Sequence, residues 1–153
     1  PGNLSSLRVG ISAANIFASF AKVPVYGISS FLLYAFNYEY SNKNLITLFD
    51  LKNDNFAYAK FIKENSKISL IESDFNINLN RIELIDMNNS IIVGTGLKKY
   101  KKKYQNNSTP TSFLDEDFKI TSESLANVDL DFQENLIFNK MPLVPFNSYS
   151  FGS

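Results

Sequence analysis

Residues 1–36 read "PGNLSSLRVGISAANIFASFAKVPVYGISSFLLYAF". The Pro1-Gly2-Asn3 turn offers Asn3 as an N-cap, and the spacing after it predicts a helix over 4–21. At about 100° per residue, Ser5, Arg8, Ser12, Asn15 and Ser19 share one narrow polar strip. The rest of the circumference is apolar or small, about twice the stripe of an ordinary surface helix. Such a helix calls for cover on two sides. Ser6, Gly10, Ala14 and Ala18 form an i, i+4 ridge of small residues that lets another backbone approach. Val9, Ile16 and Phe20 make a bulkier flank, and Leu7 and Ile11 another. Val23, Val25 and Ile28 then predict a short buried strand, with Pro24 tolerable near its start. Ser29 or Ser30 caps a short helix, "FLLYAF" (31–36). Helix, strand, helix is α/β grammar.

Past residue 38 the period changes from helical to alternating. "NLITLFD" (44–50), "NFAYAKFI" (55–62) and "KISLIES" (67–73) read as three strands. The spacers "LKND" and "KENS" suit hairpin turns, so the three form an antiparallel meander. A weak helix around 79–86, the strand "SIIVG" (90–94) and the helix "LKKYKKKYQ" (97–105) follow. "NNSTPTS" reads as a surface loop and "DFKIT" (117–121) as a short strand. Ser122 or Ser124 caps a last helix through Leu125, Val128, Phe132 and Leu136, before an extended, proline-broken tail.

The chain of 153 residues contains no Cys, His or Trp. Thiol nucleophiles, disulfides and Ser-His or Cys-His relays are therefore excluded, and zinc has none of its usual ligands. Acid-base work would fall to Asp, Glu, Lys or Tyr. The formal net charge is zero, which argues against a chain devoted as a whole to a nucleic-acid backbone or an anionic membrane. No apolar run approaches the roughly 20 residues of a membrane helix. The abundance of Lys, Asn and Ile fits an AT-rich coding bias.

Several motifs offer chemistry, each with a plainer reading. Asp50 ends a strand at a turn, where nucleotide-binding folds hold a metal-phosphate. Its turn, Leu51-Lys52-Asn53-Asp54, lacks the Gly that brings N–H groups to phosphate, so a simple hairpin is favoured. Gly94 and Gly96 lie between a strand and a helix, where an anion can sit. With Lys99 in place of a third Gly, a tight turn is favoured. "KKYKKKY" (98–104) interleaves five Lys with two Tyr and suits an RNA backbone; a solvated helix face is the plainer reading. Asp115, Glu116 and Asp117 are adjacent, so they do not face one another as a dyad.

The opening stretch resembles the bacterial TsaB family, whose members carry G-P-G-S-F-T-G-L-R-I-G, an Ala-rich helix and I-P-L-V-G-V-S-S-L-E-A-L. Pro1-Gly2, Leu7-Arg8, Gly10, Pro24, Gly27 and Ser29-Ser30 fall in register. "LITLFDLKNDNFAYAKF" is similar to the family's strand, D-A-R-x-G-E-V-Y turn and next strand, with Asp50 and Tyr58 in place. "IIVGTGLKKY" is similar to its V-x-G-x-G-A-x-x-Y segment. The departures are Leu4-Ser5-Ser6 for F-T-G, and Lys52 and Asp54 at the Arg and Gly of the turn. Against TsaB the chain reads as about two thirds of a protein, with the front of its first subdomain missing.

The resemblance implies an α/β actin/Hsp70-like ATPase (ribonuclease H-like) fold. Residues 1–38 would be the remainder of the first subdomain and 39–153 the second. It implies a non-catalytic subunit that binds and stabilises a TsaD-like partner, alongside a TsaE-like ATPase and a TsaC-type enzyme. That complex installs threonylcarbamoyl on the adenosine beside the anticodon of tRNAs reading ANN codons. Contact with tRNA would be indirect, ATP would sit at the partner interface, and the setting would be cytoplasmic, away from membranes. The H-x-x-x-H metal pair of TsaD falls on Ser30 and Tyr34, so no metal is expected. The expected partner contacts are Ser5, Leu7, Arg8, Gly10, Ile11, Ala14, Phe17 and Ala18. In isolation a homodimer or poor solubility is expected. The alternative is an ATP-dependent phosphotransferase of the same fold, using Asp50. A peptidase finds no support in a chain without His or Cys.

Overall fold

The computed structural model describes residues 4–39, 42–64, 67–104, 113–115, 118–126, 128 and 137–138. The backbone groups into two units. One holds residues up to Leu32 and those from Asp129 onward; the other runs Leu33–Val128. The sequence expectation drew its boundary after residue 38.

In the first unit, α1 spans Leu4–Ala21, as the spacing predicts. It ends where Lys22 turns left-handed (φ 54°) and the Val23 N–H bonds back to the Ala18 carbonyl at 3.1 Å, a Schellman closure without glycine. The strand expected over 23–28 shrinks to β1, Gly27–Ile28. It pairs antiparallel with β7, Ile137–Phe138. α2, Ser30–Asn37, starts at the second of the two serines expected to cap it, and its residues from Leu33 on belong to the second unit.

The second unit is built on a five-stranded sheet. β2 (Asn44–Lys52), β3 (Asn55–Glu64) and β4 (Lys67–Asn78) form the antiparallel meander. β5 (Ser90–Val93) returns parallel to β2, and β6 (Phe113–Asp115) lies parallel to β5. The order β4-β3-β2-β5-β6 puts three antiparallel strands beside two parallel ones, the ribonuclease H-like arrangement. β2 is central, and its run Leu45–Phe49 is buried on both faces, which explains why it reads as continuously apolar rather than alternating. On one face Ile46, Leu48, Phe56, Tyr58 and Ile92 pack with Leu97 and Tyr100 of α3 (Leu97–Tyr104) and with Ile82, Ile85 and Met87. On the other, Phe49 meets Tyr34 of α2 edge to face, with ring centroids 5.5 Å apart. Phe118 meets Tyr34 and Tyr38 in the same manner.

The β2–β3 hairpin closes through Asn53 and Asp54, both with positive φ (48° and 59°). That is the type I′ geometry of a two-residue hairpin, and Asn and Asp tolerate it without glycine. The weak helix expected at 79–86 is a 3-10 helix, Leu79–Leu84, opened by the Asn78 side chain accepting from the Asn80 N–H. Two expectations change. The strand expected at 117–121 lies earlier, at 113–115, and residues 118–121 are irregular. The described part of the last helix is a 3-10 turn, Ser122–Leu125; Phe132 and Leu136 lie outside the described residues. So do the loop 106–112 and the tail from 139.

Candidate functional site

Parallel strands next to each other open a crevice at their carboxyl ends, where α/β sheets bind ligands. Here those ends are β2 and β5, and the sheet brings Asp50, Gly94, Thr95, Gly96 and Lys99 together. Gly94 has φ +112°, and a Cβ there would stand 2.4 Å from the Leu48 carbonyl oxygen. The Gly96 N–H donates to the same oxygen at 2.9 Å, and a Cβ on Gly96 would press Leu48 and Phe56 at 2.9 Å. Both glycines are thus required by the closeness of the loop to β2. Their backbone is turned onto the sheet, not outward to a phosphate. The loop then feeds α3, with the Leu97 N–H on the Gly94 carbonyl and the Tyr100 N–H on that of Gly96.

Asp50 is held from two sides. Its N–H donates to Thr95 Oγ1 at 3.4 Å, and its carboxylate accepts from Lys99 Nζ at 3.2 Å. The same ammonium stands 3.2 Å from Asp54 Oδ1. Partial burial pulls the Lys99 pKa down, but the hydrogen bonds and charges of Asp50 and Asp54 outweigh it and raise the pKa. The three groups form a closed ionic cluster. A metal-phosphate at Asp50 would have to displace Lys99. Among the described residues, no three acidic side chains gather as a metal site. The sequence missed Lys99 as the partner of Asp50 because the two lie 49 residues apart; no local spacing links them.

Tyr34 is buried between Phe49 and Phe118. Burial raises its hydroxyl pKa, which keeps it neutral and a packing residue. A second buried ionisable side chain is Lys60. Its ammonium donates to the Asp86 carbonyl at 2.7 Å and lies 3.6 Å from the Asp86 carboxylate. The Asp86 pKa is lowered first by the Asn88 backbone N–H and then by the Lys60 charge.

The eight contacts expected on α1 are divided by the helix. Ser5, Leu7, Arg8, Gly10 and Phe17 are exposed, Ile11 and Ala14 are half-buried, and Ala18 is buried. The small ridge therefore turns inward towards its carboxyl end. The larger exposed surface is the flank: Val9 is 70% exposed, Ile16 70%, Phe17 69% and Phe20 91%. At about 100° per residue, Val9, Ile16 and Phe20 stack within a narrow seam and Phe17 borders it.

The sequence matches the family of tRNA N6-adenosine threonylcarbamoyltransferase, TsaD, over residues 1–144. The chain belongs to the TsaD family. Two solved structures share its fold. One is an uncharacterized protein with similarity to peptidase YeaZ from Pseudomonas aeruginosa: TM-score 0.73, 16% identity, covering 96% of this chain and 69% of that one. The other is YeaZ from Pseudomonas aeruginosa: TM-score 0.63, 19% identity, covering 82% of this chain and 60% of that one. This member of the TsaD family thus spans about two thirds of the structures it resembles. No curated protein matches its sequence at a significant level. Among the described residues, no helix is long and apolar enough to cross a membrane.

Proposed function

We propose that the chain acts as a TsaB-type partner subunit in the threonylcarbamoyl modification of tRNA, binding and stabilising a TsaD-type catalytic subunit. The observation that carries this reading is the exposed seam of α1. Four large apolar side chains, Val9, Ile16, Phe17 and Phe20, stand 69–91% exposed on one helix, where the other exposed large apolar side chains among the described residues reach 36–52%. Burying one such side chain is worth about 1.5–3 kcal/mol, so the seam suits a helix-to-helix interface. Of the expected contacts, Phe17 belongs to this exposed surface and Gly10 shares its side of the helix, whereas Leu7 lies on the other flank. The closed Asp50–Lys99–Asp54 cluster supports a non-catalytic role and gives the phosphotransferase reading nothing to build on.

Co-expression with a TsaD-type subunit tests the proposal. The wild-type chain should co-purify with it, and Phe20→Asp or Ile16→Asp should break the complex while leaving circular dichroism and thermal unfolding unchanged. Both side chains are exposed, so the folded chain tolerates the change. A complex that survives both substitutions, or never forms, rejects the reading.

A further inference from the structure

Acids and bases are equal in number in this chain, yet they are not evenly mixed. α3 (97–104) carries Lys98, Lys99, Lys101, Lys102 and Lys103 and no acid. A lysine-rich coding bias accounts for abundance, not for this segregation. Within the helix, Lys98 and Lys102 are four apart, as are Lys99 and Lys103, and such like-charge pairs destabilise a helix. Of the five, Lys99 meets the carboxylates of Asp50 and Asp54, and outside the helix Lys60 meets that of Asp86.

The fold aims Lys98, Lys102 and Lys103 outward and leaves Lys101 half-buried. Leu97 and Tyr100 are buried in the core, which rolls the opposite side of the helix to solvent. Lys98 and Lys102 lie at the centre of that outward side, both exposed, about 40° apart around the helix. Lys103 is exposed and donates to the Asn80 side chain. That bond ties the end of α3 to the 3-10 helix where the next residue, Arg81, is also exposed. Among the described residues, no carboxylate lies within ion-pair distance of Lys98, Lys102 or Arg81. Screening at physiological salt limits a charge's reach to about 8 Å, so a polyanion at this face meets the local cations and not the neutral whole. Exposed, repelling ammonium groups on a rigid helix are what a phosphodiester backbone recruits, since each contact releases condensed counterions.

We propose that the outward face of α3, centred on Lys98 and Lys102 and flanked by Lys103 and Arg81, contacts the phosphodiester backbone of the tRNA. It rests on the tRNA-modification reading above for the identity of the RNA, and makes the contact direct. Fluorescence anisotropy with a labelled tRNA transcript, over a series of salt concentrations, tests it on the chain alone and with a TsaD-type subunit. Lys98→Ala/Lys102→Ala/Arg81→Ala should weaken tRNA binding about tenfold or more and flatten the slope of log K against log salt by about 2–3. Lys98→Arg/Lys102→Arg should retain both. Co-purification with the partner should be the same for all variants, which separates this surface from α1. If the wild-type chain fails to bind the partner, the function reading falls, while the salt slope of the chain alone still decides the patch. Unchanged affinity and slope in the triple variant overturn the proposal. So does a lysine-dependent attachment to phosphatidylserine vesicles with no such dependence for tRNA.

Discussion

Lys99 Nζ and Asp50 Oδ1 stand 3.2 Å apart across the carboxyl ends of β2 and β5, with Asp54 at the same distance from the ammonium. The pair engages the carboxylate that β2 presents at the crevice. Its pH dependence has a definite sign. The Lys99 pKa is raised above its ordinary 10.5, so its contribution to stability is fully present below 10.5 and fades as pH rises through the higher folded value. Wild type should therefore exceed Lys99→Met in urea midpoint by a constant margin near neutrality. From neutrality upward the margin should shrink only above pH 10.5, and 1 M NaCl should reduce it at neutral pH. A margin that collapses in mild acid instead would contradict the assignment.

Gly94 and Gly96 should not be equivalent. Gly94→Ala meets a backbone oxygen at 2.4 Å in a left-handed conformation; neither can yield cheaply, and a loss of about 3 kcal/mol is expected. Gly96→Ala meets chiefly the side chains of Leu48 and Phe56, which can shift, so its loss should be about half as large. Chemical denaturation of the two variants gives the order directly. Equal losses would mean that the loop does not press on β2 as described.

Thr47 lies fully buried in the centre of β2, and its hydroxyl has no hydrogen-bond partner among the described residues. Leaving such a group unsatisfied costs about 1–3 kcal/mol. Thr47→Val keeps the shape and removes the orphan, so it should raise stability by about 1 kcal/mol. A thermal melt shows this as a higher midpoint; a lower one would place an unseen partner on the hydroxyl.

The elements that were legible in the sequence are those whose signal is local. α1 and the three meander strands follow from period and turn chemistry, although the turn expected at 51–54 tightens to Asn53-Asp54 as β2 runs on to Lys52. The strand at 90–94 was legible as a strand, while its parallel place beside β2 came only with the structure. The parts that escaped depend on distant partners. β1 shrank to two residues because a strand is as long as its pairing, and β7 offers only Ile137 and Phe138. The Asp50–Lys99 pair joins residues far apart in the chain. On α1 the periodicity identified two apolar sides, but the choice of inward side belongs to tertiary packing: Ala18 went in and Phe20 stayed out. The basic character of α3 was plain; its orientation came only with Leu97 and Tyr100 in the core.

Gly10 links the stability of α1 to its proposed role. It sits mid-helix, exposed, and a Cβ there would meet nothing within 4 Å. Glycine in a helix interior costs roughly 0.5–1 kcal/mol relative to alanine, through the freedom it has when unfolded. Gly10→Ala should therefore stabilise the isolated chain by about that amount. Gly10 is also seven residues before Phe17, two turns away on the same face of the helix, at the border of the seam proposed to meet the TsaD-type subunit. A methyl group there would hold a partner helix away from the backbone. Thermal unfolding and affinity for the partner should move in opposite directions: a higher midpoint and a complex weakened severalfold. Such a trade is what a residue kept small for an interface predicts. If Gly10→Ala raises the midpoint and binds the partner as tightly as wild type, the interface lies wholly on the Val9, Ile16 and Phe20 side and Gly10 leaves the contact set. If the midpoint does not rise, the position is not open to solvent in the isolated chain, and the exposed surface of α1 is smaller than the structure gives it.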